Sequence, residues 1–230
     1  MRTNHPAAGR PPGPSIWSGR LVPSVRDRPV GQETSAVVER PDGGLQVSVE
    51  TELAFNDLTL RQSVVASYDG ALRPEWCRVD ATINARGLQI AVDVGARDAV
   101  VRVRAEAGDE ERTISLGGRP LLLPDNCFTL HALAAWSAVC ASRSEGEQAP
   151  WTALPIGREL SISGPTARRV SLGGTDLGSP SMTLHLGSDL DEHVWFVDNQ
   201  LGRIAIPRLH VRVDRVIARA FMGERECTTR

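Results

Sequence analysis

From Leu45 to Phe55 the chain alternates, placing Leu45, Val47, Val49, Thr51, Leu53 and Phe55 on one side and Gln46, Ser48, Glu50 and Glu52 on the other. Period two with one apolar side predicts a half-buried β-strand. Asn56-Asp57 supplies a two-residue turn from residue types that tolerate positive φ. Setting Phe55 against Leu58 then brings Leu53 opposite Leu60, Thr51 opposite Gln62, Val49 opposite Val64 and Leu45 opposite Tyr68. The parity continues. Cys77, Val79, Ala81 and Ile83 lead through a four-residue loop, 84 to 87, to Leu88, Ile90, Val92 and Val94. Gly95 to Asp98 sets Val94 against Ala99, Val92 against Val101 and Ile90 against Val103, and a turn around Gly108-Asp109 sets Ile114 against Val103 and Leu116 against Val101. A one-residue slip turns a whole strand inside out, so this agreement predicts a β-meander for the N-terminal half.

The next segment, LLLPDNCFTLHALAAWSAVCASR, changes period. Asp125 or Asn126 can cap a helix after Pro124, and Arg143 suits its C-terminal end. Between Cys127 and Ala141 only Thr129, His131 and Ser137 are polar, and they form no continuous stripe. A helix apolar nearly all round must be enclosed. Beyond a Ser, Gly and Pro-rich linker alternation resumes at Leu160 and Ile162, at Val170 and Leu172, and then in SMTLHLG, HVWFV, GRIAIP and LHVRVDRVIA. The fold class expected is mostly β. About 10–12 antiparallel strands form a barrel or a strongly curved half-barrel around one buried helix at about 126–142, since a flat sheet of that size would expose a large apolar face.

The first 23 residues contain five prolines, so residues 1–35 are expected to be a flexible arm that can act as a lid. Residues 36–222 make a single barrel-like domain, and 223–230 a tail. The chain has 230 residues and a net charge of −2 from 26 basic and 28 acidic side chains, a size that supports one substantial core. That balance gives no field to attract nucleic acid or an anionic membrane over the molecule as a whole. All the basic residues are arginine, which excludes Schiff-base and P-loop lysine mechanisms. No run reaches the ~20 apolar residues of a membrane helix and no signal-peptide pattern is present. The location expected is cytoplasmic. Cys77, Cys127, Cys140 and Cys227 form no CxxC pair and read as small buried hydrophobes.

No nucleophile elbow, Walker loop, dinucleotide fingerprint or HExxH is present, and neither a metal nor a cofactor is expected. The Asp189-Leu190-Asp191-Glu192 segment between His185 and His193 reads as a solvated acidic hairpin tip rather than a metal site. His131, inside the apolar helix, is either a core histidine satisfied by a carbonyl or hydroxyl, or a proton-transfer group in an apolar pocket. Thr51 and Gln62, paired on an otherwise apolar face, either bond each other or act as polar handles in a cavity. Tyr68, the only tyrosine, can donate one hydrogen bond from the inward end of its strand. Trp136 and Trp195 are core fillers or cavity walls, and Trp17 could latch the arm over a mouth.

The segments LLLPDNCFTLHALAAW and HVWFVDNQLGRIAIP, together with the meander, resemble a family of bacterial proteins with the lipoprotein-carrier fold, a curved antiparallel sheet on a central helix, over roughly residues 40 to 220. In architecture and size the chain is also similar to the β-barrel cyclases of polyketide biosynthesis. The second likeness implies a cyclase or isomerase, cycloaddition included, that works by folding its substrate and polarising a carbonyl. Gln62, Tyr68 and His131 would then be catalytic, and Thr51, Trp136, Trp195 and Trp17 would bind substrate. The first implies a non-catalytic carrier of lipid or lipoprotein. Either way the expected partner is a hydrophobic small molecule or lipid, with a homodimer as an option and neither nucleic acid nor a membrane span involved.

Overall fold

The computed structural model describes residues 15–145, 151–156, 168–173, 181–186, 190–197 and 200–219. The expected strand at Leu160 and Ile162 and the tail at 223–230 lie outside the described residues. Among the described residues sixteen strands form one sheet. In chain order these are β1 (Ser15–Val25), β2 (Arg28–Pro29), β3 (Gly31–Glu39), β4 (Leu45–Phe55), β5 (Leu58–Tyr68), β6 (Pro74–Ile83), β7 (Arg86–Val94), β8 (Asp98–Ala105), β9 (Gly108–Ser115) and β10 (Arg119–Pro124). Helix α1 (Phe128–Glu145) follows, then β11 (Trp151–Ile156), β12 (Arg168–Gly173), β13 (Ser181–Leu186), β14 (Leu190–Val197), β15 (Gln200–Ile206), a 3-10 turn (Pro207–Leu209) and β16 (Val211–Arg219). The sheet runs β10 to β16 and then β1, β3 and on to β9, with β2 beside β1.

This order nearly closes on itself. The two edges, β9 and β10, are joined by only residues 116 to 118, a span of at most about 14 Å when extended. The sheet is therefore the strongly curved form of the expected architecture, with an unpaired seam. Its interior holds two apolar clusters. One is built on the inner face of β3–β9 and includes Val47, Val64, Tyr68, Cys77 and Val92. The other joins Leu21, Phe128, Ala132, Val194, Ile204 and Val213. Strand β10 runs between them, sending Leu122 into the first and Leu121 and Leu123 into the second. A strand buried on both faces reads as an unbroken apolar run, which is why RPLLLP shows no alternation. It pairs in parallel with β11 across the helical crossover.

The register expected for β4 and β5 is the one observed, from Leu45↔Tyr68 to Phe55↔Leu58, as is that for β7 and β8 at Val92↔Val101. Two pairings differ. Strands β6 and β7 join through a two-residue turn at Asn84-Ala85, with φ of 49° and 66°, so that Ala81 rather than Ile83 faces Leu88. Strands β8 and β9 turn at residues 106 and 107, which puts Ile114 opposite Ala99 instead of Val103. Both shifts are even, so every side chain keeps its face.

The arm expected over residues 1–35 does not extend through 15–35. Ser15–Val25 and Gly31–Glu39 lie in the middle of the sheet, β1 pairing with both β16 and β3. A shift in the β1–β16 register between Arg20 and Leu21, and a proline at position 23, break the alternation that would have revealed β1. Residues 1 to 14 lie outside the described set.

Candidate functional site

The N-terminus of α1 meets two buried carboxylates from opposite halves of the sheet. Glu33, 0% exposed on the inner face of β3, accepts the backbone N–H of Phe128 through Oε2 and that of Thr129 through Oε1, each at 2.8 Å. The Thr129 hydroxyl also donates to Oε1, and Thr51 Oγ1 stands 3.4 Å from Oε2. A helix start leaves several N–H groups without intrahelical partners and favours negative charge. Here Glu33 takes two of them, those of Phe128 and Thr129, replacing the local cap expected of Asp125 or Asn126; Asn126 instead adopts a left-handed conformation, φ 57°. Burial pushes the Glu33 carboxyl above the ordinary carboxylate range, against the opposing pull of its bonds from Thr129 and Phe128.

His131 lies one turn further along. Its Nδ1 is 2.7 Å from Oε2 of Glu192, a residue 0% exposed on β14, and its Nε2 is 3.0 Å from the Pro124 carbonyl. Burial lowers the imidazole, but the Glu192 charge and hydrogen bond outweigh it with help from Pro124 and Asp125, leaving the group at about 8. At neutral pH both ring nitrogens are therefore donors, and both are engaged. Gln62 Nε2 donates to the Asp125 carbonyl at 3.1 Å. Glu33, His131, Glu192 and Gln62 together fix residues 124 to 131 between the two halves.

The sequence candidates thus separate. Thr51 and Gln62 face each other as expected, yet each bonds a third group, Glu33 or Asp125, rather than its neighbour. Tyr68 is 2% exposed in the first apolar cluster, and its hydroxyl is buried with no hydrogen-bond partner among the described residues. It stays protonated, because burial raises its pKa far above the ordinary value, reinforced by the nearby thiols of Cys77 and Cys127. Those thiols are inert as well. Burial moves Cys77 up to about 12 and raises Cys127. Six residues along β5 separate Gln62 from Tyr68, about 20 Å, so the two do not address one reacting centre. Trp136 is half-buried against the second cluster. Trp17, placed on a lid by the sequence reading, is part of β1 and packs against both clusters. Trp195, expected to line the interior, alternates away from Glu192 and Val194 and lies on the outer face beside His193, ring centroids 5.8 Å apart.

Glu33 and Glu192 were missed as site residues because Glu33 fell in the stretch expected to be a flexible arm and Glu192 in the one read as a solvated acidic hairpin tip. The signal was parity: Glu33 alternates with Ser35 and Val37, Glu192 with Val194. On the outer face, Arg78, Asp93, Arg102 and Glu111 form an ion-pair ladder across β6 to β9, each step 2.6 Å. A groove of about 620 Å³ beside it, lined by Ser63, Asp80, Gln89 and Arg104, contains none of the sequence candidates. Among the described residues no group of three His, Cys, Asp or Glu is placed to hold a metal, and no helix is long and apolar enough to cross a membrane.

No family model and no curated protein matches the chain. Two solved structures are similar in shape. A DUF1089 family protein from Pseudomonas aeruginosa matches over 77% of this chain and 90% of its own, at 12% identity and a TM-score of 0.46. A beta-barrel-like protein of domain of unknown function DUF1849 from Brucella abortus matches over 90% of this chain and 98% of its own, at 9% identity and a TM-score of 0.53. Its likeness, with the curled antiparallel sheet, gives this chain a β-barrel-like fold.

Proposed function

We propose that the protein is a non-catalytic binder of an apolar molecule that carries a hydrogen-bond acceptor, held against the inner face of β5 and β6. The Tyr68 hydroxyl carries this reading. A buried O–H with no acceptor costs about 1–3 kcal/mol, and such exceptions call for an explanation; a carbonyl or ether oxygen on an otherwise apolar guest supplies the missing partner. The surroundings of Tyr68 are apolar, including Cys77 and Cys127. Binding is favoured over substrate cyclisation because the Gln62 amide and both nitrogens of His131 already hold backbone or carboxylate groups. Only Tyr68, of the three residues proposed for catalysis, has a donor to offer.

The test is to titrate the full chain with a long-chain methyl ketone and with the alkane of equal length. The wild type should prefer the ketone by roughly fivefold to tenfold, the worth of about one hydrogen bond, and Tyr68→Phe should bind both alike. Without ligand the same variant should unfold at higher urea, since it removes the unpartnered hydroxyl. Equal ketone affinity in wild type and variant, or binding of neither probe, sinks the proposal.

A further inference from the structure

We propose that residues 69–73, the loop from β5 to β6, form a lid over the interior at Tyr68 that opens while the rest of the sheet stays paired. The passage of a guest beneath it rests on the Tyr68 reading above; the opening does not. Tyr68 is the last residue of β5, so the loop starts beside it. Leu72, half-buried, packs against the apolar cluster that holds Tyr68, Cys77 and Cys127, while Gly70 and Ala71 are exposed. The loop therefore has an apolar inner side that closes this end of the cluster and a small, solvated outer side.

The loop is a self-contained piece. Asp69 N–H donates to the Arg73 carbonyl at 2.9 Å and Leu72 N–H to the Asp69 carbonyl at 3.0 Å. The Asp69 carboxylate accepts the N–H groups of Ala71 and Arg73, both at 2.9 Å. All four bonds lie within the loop, so it can swing without losing them. Its hinge falls where pairing is already irregular, because the β5–β6 register shifts between Ser67 and Tyr68.

Side chains fasten it. Ser137 Oγ on α1 donates to the Leu72 carbonyl at 3.1 Å, and the Arg119 guanidinium at the start of β10 donates to the Ala71 carbonyl. The Arg73 guanidinium reaches the carbonyls of Gly95 and Ala96 in the β7–β8 turn, at 3.1 and 3.0 Å. Against these latches works the backbone of Leu72, at φ 59°. Of the eight non-glycine residues with positive φ among the described residues, it alone carries a large apolar side chain. That region disfavours such side chains, and the strain persists only while the surroundings impose it. Releasing the latches lets Leu72 leave it, so the strain favours the open state. A loop held by a few side-chain bonds against its own backbone belongs to the low end of local stability, where openings occur short of global unfolding.

The full chain is to be alkylated with iodoacetamide in low urea, and the rates at Cys77 and Cys127 read by peptide mass spectrometry, separately from Cys140 and Cys227. Both thiols are 0% exposed, so each reacts only when uncovered. In the wild type the rate at Cys77 should be nearly independent of urea, because a local opening exposes little surface. Arg119→Gln with Ser137→Ala should raise it by about tenfold or more, the worth of two hydrogen bonds. Arg73→Gln, a change in the loop itself, should raise it by about threefold to tenfold. In each variant the dependence on urea should stay flat, which separates a loosened lid from a destabilised fold. A rate that climbs with urea as steeply as the global transition, or one that neither variant changes, overturns the proposal. Long-chain methyl ketone should slow the alkylation; if the lid opens as described and the ketone has no effect, the binder reading falls and the lid stands.

Discussion

Raising the pH from 6 to 9 should destabilise this protein through one buried pair. His131 has an ordinary value of 6.5 when unfolded and about 8 when folded, which corresponds to about 2 kcal/mol of preference for the imidazolium in the native state. Since the folded value is the higher one, that stabilisation is complete below about pH 6.5 and disappears as pH rises through about 8. The measurement is thermal unfolding across this range for the wild type and for Glu192→Gln. For a chain of this length about 2 kcal/mol moves the midpoint by about 4–8 °C. Glu192→Gln should be less stable at pH 6 by about 3–5 kcal/mol, the usual cost of removing one partner from a buried pair. It should also show none of the decline attributable to His131, so the two curves converge as pH rises. Glu33, Cys77 and Cys127 are common to both proteins and drop out of the difference. Parallel curves from pH 6 to 9 would refute the reasoning, because the difference would then have no link to the charge on His131.

Glu33→Ala should cost about 3 kcal/mol or more in urea unfolding, since the N–H groups of Phe128 and Thr129 and the Thr129 hydroxyl all lose their acceptor in a buried setting; Glu33→Gln, which keeps one oxygen, should fall between. Gly31→Ala should also destabilise by about 2 kcal/mol or more in the same measurement, because a Cβ there would lie 1.9 Å from the Glu52 carbonyl and force β3 away from β4.

Much of the meander was legible because a half-buried strand carries its orientation in its alternation. Parity reports only the face, so it placed Ile114 and Leu88 inward correctly while leaving each pairing two or four residues adrift. Turn length settles that remainder, and Asn84-Ala85 shows how Ala in a left-handed conformation escapes turn-residue rules. The site was less legible for another reason. Its two carboxylates come from β3 and β14, and Glu33 is bonded to residues about 95 positions away. Charged residues are almost never fully buried unless paired, and pairing over that distance leaves no local trace.

The first strand has two neighbours of very different ages. β1 can join β3 as soon as both have left the ribosome, but its other flank pairs with β16, from Val25↔Val211 to Ser18↔Arg219, nearly a chain length later. Until then the flank that will meet β16 is an unguarded template for any passing extended segment, and the loop that closes it is among the longest the chain allows. The final strand is thus the clasp that retires this hazard: chains shortened before Val211 would keep the meander but present β1 as a permanent sticky edge.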